Sequence, residues 1–176
     1  MKSPLRVTTI SIVLLVVFTS FSLAQSTKLT DPEIANIAVT ANQIDIDYAA
    51  VAKEKSKNSE VLKFAETMTN DHKAIIAQAV ELVTKLKVTP MENSVSKKLL
   101  ADAETTKKAL RSKSGKAFDK AYIDNEVAYH KAVISTVEGT LIPSTENAEL
   151  KALLLKVVPA LKAHLGHAEM IQKNHH

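Results

Sequence analysis

The sequence predicts an all-α fold: a four-helix bundle with an additional short crossover helix. Composition is the first reason. The 176 residues include 3 Gly, 5 Pro, no Trp and only 4% aromatics, too few turn-forming and aromatic residues for a β-sandwich. Ala, Lys, Leu and Glu are abundant, and these lose little side-chain entropy in a helix. Periodicity is the second reason. Four long segments repeat their apolar residues in alternating steps of three and four, which draws one stripe along a helix. The short or moderate connections between them favour packing of neighbours side by side.

Residues 1–24 read as a secretory leader. Lys2 and Arg6 give the charged start, Val7 to Phe18 the apolar run, and Ser22-Leu23-Ala24 a small-x-small cleavage site before Gln25. Export to the periplasm or the medium is therefore expected. No Cys is present to carry a lipid or to form a disulfide in that oxidising setting. Residues 25–176, with no internal repeat and no Gly/Ser linker, are expected to form one domain. Without Lys2 and Arg6, the 23 basic residues fall to 21 against 19 acidic ones, a formal +2. Basic and acidic residues alternate, and aromatics are too scarce to stack bases, so nucleic acid is not an expected partner.

Gln25 to Leu29 is a polar connector. Thr30-Asp31-Pro32-Glu33 then opens the first helix with a hydroxyl cap, an early Pro and a Glu three residues on. Its inward row is Ile34, Ala38, Ala41, Asp45, Tyr48 and Ala52, and it should stop near Ser56 to Asn58. The second helix, Ser59 to Leu86, aligns Val61, Ala65, Met68, His72, Ile75, Ala79, Leu82 and Leu86. A turn over Thr89 to Asn93 leads to the crossover, Ser94 to Arg111. There Val95, Leu99, Leu100, Ala103 and Leu110 make a thin stripe, and the basic Lys107 to Gly115 is expected to loosen into a loop.

The next long helix should cover about Lys116 to Glu138, with the row Ile123, Val127, His130, Ile134 and Val137. Gly139 to Glu146 is the expected connection. The last helix, about Asn147 to Asn174, aligns Leu150, Leu154, Val157, Leu161, His164, Ala168 and Ile171. Pro159 removes one backbone bond inside it, so a kink is expected near Leu155.

Each long row has one polar interruption: Asp45, His72, His130 and His164. An unpartnered polar group on a buried seam costs about 1–3 kcal/mol, and a charged carboxylate more. One solution is a shared metal ion, held by imidazoles and a carboxylate converging from facing helices. Iron, zinc, manganese and copper all suit that ligand set. Asp71, Glu126 and Glu66 are neighbours that would add ligands or accept hydrogen bonds and orient the imidazoles. The other solution is a metal-free network that sets helix register, with Asp45 on His72 and Glu126 on His130. Asp45 and His72 lie at similar distances from the first turn and should share a level. His130 and His164 fall about one turn, ~5 Å, out of register across the expected Gly139–Glu146 connection.

The remaining candidates are weaker. His167, His175 and His176 follow His164 near the end of the chain, and metal binding by the last two would be opportunistic. Tyr48, Tyr122 and Tyr129 read as packing residues. There is no Gly-rich phosphate loop, no nucleophile elbow and no Cys nucleophile, so no catalytic residue is assigned and hydrolases and nucleotide binders are disfavoured.

The run Phe64-Ala65-Glu66-Thr67-Met68-Thr69-Asn70-Asp71-His72 resembles the F-A-x-x-M-x-x-D-H signature of the DUF4142 family. So do Phe118-Asp119-Lys120-Ala121-Tyr122-Ile123 with His130 downstream, Leu161-Lys162-Ala163-His164-Leu165, and Ala41-Asn42-Gln43-Ile44-Asp45, where the family usually has Glu at the last position. The resemblance implies a ferritin-like, exported, mostly bacterial protein, often labelled an outer membrane protein. Its polar motif positions are Asp45, His72, Asp119, His130 and His164. Di-iron bundles carry Glu-x-x-His pairs, whereas Thr69, Val127 and Leu161 stand three residues before these histidines. A single-ion or metal-free bundle is therefore the expectation rather than a ferroxidase. No second long apolar segment and no barrel pattern follow the leader, so no stable membrane span is expected.

Three functions compete at this point. One is a metal-binding module for envelope stress or metal handling. The second is a metal-free structural or interaction protein of the envelope. The third, a minor option, is a metal-dependent oxidase or peroxide-consuming enzyme.

Overall fold

The computed structural model describes residues 28–174. The leader read in residues 1–24, and His175 and His176, lie outside that range. Among the described residues the chain is helical without strands. The elements are α1 (Asp31–Lys55), α2 (Ser59–Leu86), α3 (Ser94–Arg111), α4 (Gly115–Thr136), a π-helical turn (Val137–Leu141), the short α5 (Ile142–Ser144) and α6 (Ala148–Asn174). No helix among them is long and apolar enough to cross a membrane.

The ends form where the sequence supplies caps. The Glu33 carboxylate accepts the Thr30 backbone N–H at 2.9 Å and the Thr30 hydroxyl at 2.8 Å, closing the first turn of α1. Asn58 Oδ1 accepts from the backbone N–H of Glu60 and Val61 to start α2. Asn93 starts α3 and Asn147 starts α6 in the same way. Gly115 opens α4 at a φ of +55°, a conformation that costs glycine little.

α1 packs chiefly on α2 and α3, while α4 packs chiefly on α6 and α6 also meets α2. The α3 crossover therefore lies outside the four long helices, beside α1. Lys107 to Arg111, expected to loosen, stay helical: the Lys107 ammonium is held by Asp47 of α1 and Glu104 of its own helix. α6 runs unbroken through Pro159. Leu155, whose carbonyl that proline leaves without its helical donor, is 55% exposed and so faces water.

The connection expected over Gly139 to Glu146 differs most. Helical structure continues through the π-helical turn and α5, so the chain reverses only at Thr145 to Asn147. Val137 and Leu141, at the two ends of this single-turn π segment, are both buried. Asp31 ties the reversal to the start of α1, its carboxylate accepting the backbone N–H of Glu146 at 2.9 Å and of Asn147 at 2.8 Å. This placement removes the expected register mismatch. His130 stands 14 residues before Ser144 and His164 stands 16 residues after Ala148, so the two rings return to one level.

Candidate metal centre

Asp45 of α1, His72 of α2, His130 of α4 and His164 of α6 come together in the middle of the bundle. All four are buried, at 0, 2, 1 and 5% exposure. The ring centroids of the three histidines lie 5.1 to 5.8 Å apart. Asp45 Oδ2 is 3.4 Å from both His72 Nε2 and His130 Nε2.

The outward nitrogens of the rings define how the rings are protonated. His72 Nδ1 is 2.7 Å from Asn42 Oδ1, and His130 Nδ1 is 2.9 Å from the Glu126 backbone carbonyl. His164 Nε2 is 2.9 Å from Asp71 Oδ2. Each of these partners is an acceptor, so each assigns the ring proton to the nitrogen facing it. The other nitrogens, His72 Nε2, His130 Nε2 and His164 Nδ1, then carry lone pairs; all three are buried without a hydrogen-bond partner. The three imidazoles offer one ligand atom each within 4.8 Å of one another.

The carboxylates sit inward and dry. Neither oxygen of Asp45 nor of Glu126 has a hydrogen-bond partner. Burial pushes the Asp45 carboxyl up to about 8. Burial first and the Asp45 charge second raise Glu126 well above the usual carboxylate range, against a smaller opposing effect of the Tyr122 hydroxyl. Burial and the neighbouring imidazoles take His72 down to about 3. Burial takes His130 down to about 4, with the bond to the Glu126 carbonyl opposing and His164 adding to the fall. At neutral pH both rings are therefore uncharged, the form in which an imidazole binds a metal ion.

The pairs of the register-setting alternative stand close, Asp45 Oδ2 3.4 Å from His72 Nε2 and Glu126 Oε2 3.6 Å from His130 Nδ1, while the shorter bonds go elsewhere. His72 turns its N–H to Asn42 rather than to Asp45. His130 turns its N–H to the backbone carbonyl of Glu126, leaving the Glu126 carboxylate 3.6 Å from that nitrogen. Glu126 still borders the centre, forming an overlapping group with Asp45 and His130.

Asp71 holds His164 from a half-exposed position. Asp119 does not join it. Its carboxylate takes the Ser56 hydroxyl, and eleven residues of helix separate it from His130, about 16 Å along α4. There it fastens the α1–α2 turn to the start of α4. Glu66 faces outward to Lys53. His167 packs its ring edge-on to Phe64, 5.2 Å between centroids, and Tyr48 and Tyr129 pack edge-on at 5.4 Å.

Asn42 is the residue that motif reasoning passed over. It stands one turn before Asp45 on the same face of α1, and its amide nitrogen bonds the Ala38 carbonyl at 2.8 Å while its oxygen meets His72. An Asn inside a long helix opposes local propensity, and that was the available signal.

No curated protein matches the sequence. A solved structure described as CopM in the Cu(II)-bound form shares the fold, with a TM-score of 0.61 at 19% identity over 83% of this chain and 98% of that one. The family model for the domain of unknown function DUF4142 matches residues 19–171. With most of its length covered by that model, the chain belongs to the DUF4142 family.

Proposed function

We propose that this protein is a metal-handling module that holds one divalent transition-metal ion between its long helices. The ligands are His72 Nε2, His130 Nε2, His164 Nδ1 and the Asp45 carboxylate. The carrying observation is that three imidazole lone pairs and a carboxylate converge with no hydrogen-bond partner, while every opposite ring nitrogen has an acceptor. Metal-binding histidines are oriented in this way. Bonds of about 2.0–2.1 Å in a tetrahedral site put donors about 3.3–3.4 Å apart, and Asp45 Oδ2 stands 3.4 Å from two of the nitrogens. An ion would satisfy atoms that otherwise stay buried and unbonded.

Nitrogen-rich donors with one carboxylate suit Zn²⁺ and Cu²⁺ best, and Cu²⁺ binds most tightly of the first-row divalent ions. The fold neighbour's Cu(II)-bound form makes copper the first ion to try. The leader read in residues 1–24 would place this handling outside the cytoplasm.

The test uses untagged chain without residues 1–24 and ending at Asn174, so that His175 and His176 cannot contribute. One Cu²⁺ or Zn²⁺ per chain is expected by mass spectrometry, with a melting temperature that rises on loading. His72→Ala and His130→Ala should abolish stoichiometric binding. Asn42→Ala and Asp71→Asn should weaken it by about 10–100-fold, the usual effect of removing a group that orients a ligand. Stoichiometric ion retained in both histidine variants would overturn the assignment.

A further inference from the structure

The centre uses one buried carboxylate and leaves a second unassigned. Glu126, on α4 one turn before His130, is 0% exposed, and neither of its oxygens has a hydrogen-bond partner. We propose that Glu126 sets the charge of the ion the centre takes. With Asp45 it supplies two negative charges, so the site favours a doubly charged ion over a singly charged one such as Cu⁺ or Ag⁺. This rests on the ion-binding reading and extends it from where an ion sits to which charge it carries.

Neither carboxylate has a cation of its own. Only histidines pair with them, His72 and His130 with Asp45 and His130 with Glu126, and no Lys or Arg does so among the described residues. Those rings are uncharged at neutral pH. A doubly charged ion balances both carboxylates and leaves the dry interior neutral, whereas a singly charged one balances only Asp45.

Glu126 stands close enough for its charge to count. One of its oxygens, an Asp45 oxygen and a His130 nitrogen lie within 4.8 Å of one another, the same limit within which the three imidazole donors converge. Glu126 Oε2 is 3.6 Å from His130 Nδ1, the nitrogen opposite the one assigned to the ion. Glu126 therefore flanks the ligands as a charge rather than as a donor, and charges buried in a protein are screened little.

Two further features agree. Tyr122, Glu126 and His130 follow at steps of four and share one buried face of α4. The Tyr122 hydroxyl is buried without a partner and favours the ionised form of Glu126, so a donor stands ready for that form. Imidazole by itself accepts zinc and copper alike, and the chain has no Cys to select a soft ion by thiolate. Charge is the property left for the centre to discriminate by.

The test titrates the untagged chain ending at Asn174 with Zn²⁺ and, separately, with Ag⁺, at neutral pH in chloride-free buffer. In wild type, equimolar Ag⁺ should leave bound Zn²⁺ in place. In Glu126→Gln, which keeps the shape and removes the charge, Zn²⁺ affinity should fall about 10–100-fold while Ag⁺ affinity holds. Glu126→Asp, which returns the charge on a shorter side chain, should recover most of the Zn²⁺ loss. A packing defect at this buried position would weaken both ions alike, so the split between them is what charge balance alone produces. Displacement of Zn²⁺ by equimolar Ag⁺ in wild type would overturn the proposal without any variant. Equal losses of both ions in Glu126→Gln, or an unchanged Zn²⁺ affinity there, would overturn it too and leave the ion-binding reading standing. Wild type that takes up neither ion would overturn both.

Discussion

On one side of the histidine centre, the end of α1, the start of α2, the start of α4 and the end of α6 close over large, fully buried rings. Phe64, Phe118 and Tyr122 are each 0% exposed, and the Phe118 and Tyr122 rings stack with centroids 6.2 Å apart. On the other side the opposite ends of the same helices enclose Ile34, Ile37, Ile134, Leu141, Leu150 and Leu154, all aliphatic. There the interior is not filled, and a cavity of about 360 Å³ remains between the long helices. The filled half anchors the bundle. The hollow half gives up packing contacts that a better-matched set of side chains would make, since interiors normally reach crystal-like density. The alanines bordering the cavity, Ala38 and Ala41 on α1 and Ala128 and Ala132 on α4, are the direct cause.

The contrast can be broken most severely by deleting equal side chains from the two halves of one helix. Ile44 belongs to the filled half and Ile37 lines the cavity, and they are 1 and 2% exposed. Ile44→Ala should cost about 4 kcal/mol and Ile37→Ala about 2, because a void opened in a filled core adds a cavity penalty that a wall already facing space does not. Urea titrations giving equal losses would mean the hollow half is as tightly packed as the other.

The reverse experiment should change sign. Ala52→Leu in the filled half, at 0% exposure, forces overpacking and should cost about 1–3 kcal/mol. Ala38→Leu in the hollow half should be neutral or stabilise by about 0.5–2 kcal/mol, as cavity filling does.

At the junction of the halves, Asp45→Asn should give a pH-dependent effect. Burial raises the folded-state value of Asp45 from 3.8 to about 8. Its contribution is therefore fully present below about pH 4, declines as pH rises, and is spent by about pH 8. Asn has no proton to lose, so the metal-free variant should gain on wild type across that window and melt several degrees higher at pH 8, at ~2–4 °C per kcal/mol for a chain of this size. The gap should close towards pH 4. The same variant should bind the ion more weakly, so stability and ion affinity should move in opposite directions. A gap independent of pH would show that Asp45 is not held as an acid in the metal-free state.

Much of this was legible from residue order. The cap at Thr30 and the row containing Val61, Met68 and His72 were readable because helix periodicity and capping are local properties. That Asp45, His72, His130 and His164 share a buried interior also followed from the rows they interrupt. Asp119 misled, because a motif position gives no depth along a bundle. Its seven-residue separation from Glu126 is what keeps it with Ser56 at the turn.

What residue order determined by itself, then, was the helices, their inward faces and the polar groups on those faces, all of which depend on neighbours within a turn or two. Tertiary structure alone decided three things. The π-helical turn and α5 moved the last reversal to Thr145–Asn147 and so brought His130 level with His164. The partners Asn42, the Glu126 carbonyl and Asp71 decided which nitrogen of each ring points inward with a lone pair. The distance between α1 and α4 decided that alanines on both would border space. Each depends on groups brought together from distant parts of the chain, and periodicity within a single helix carries no information about how far away its neighbour stands.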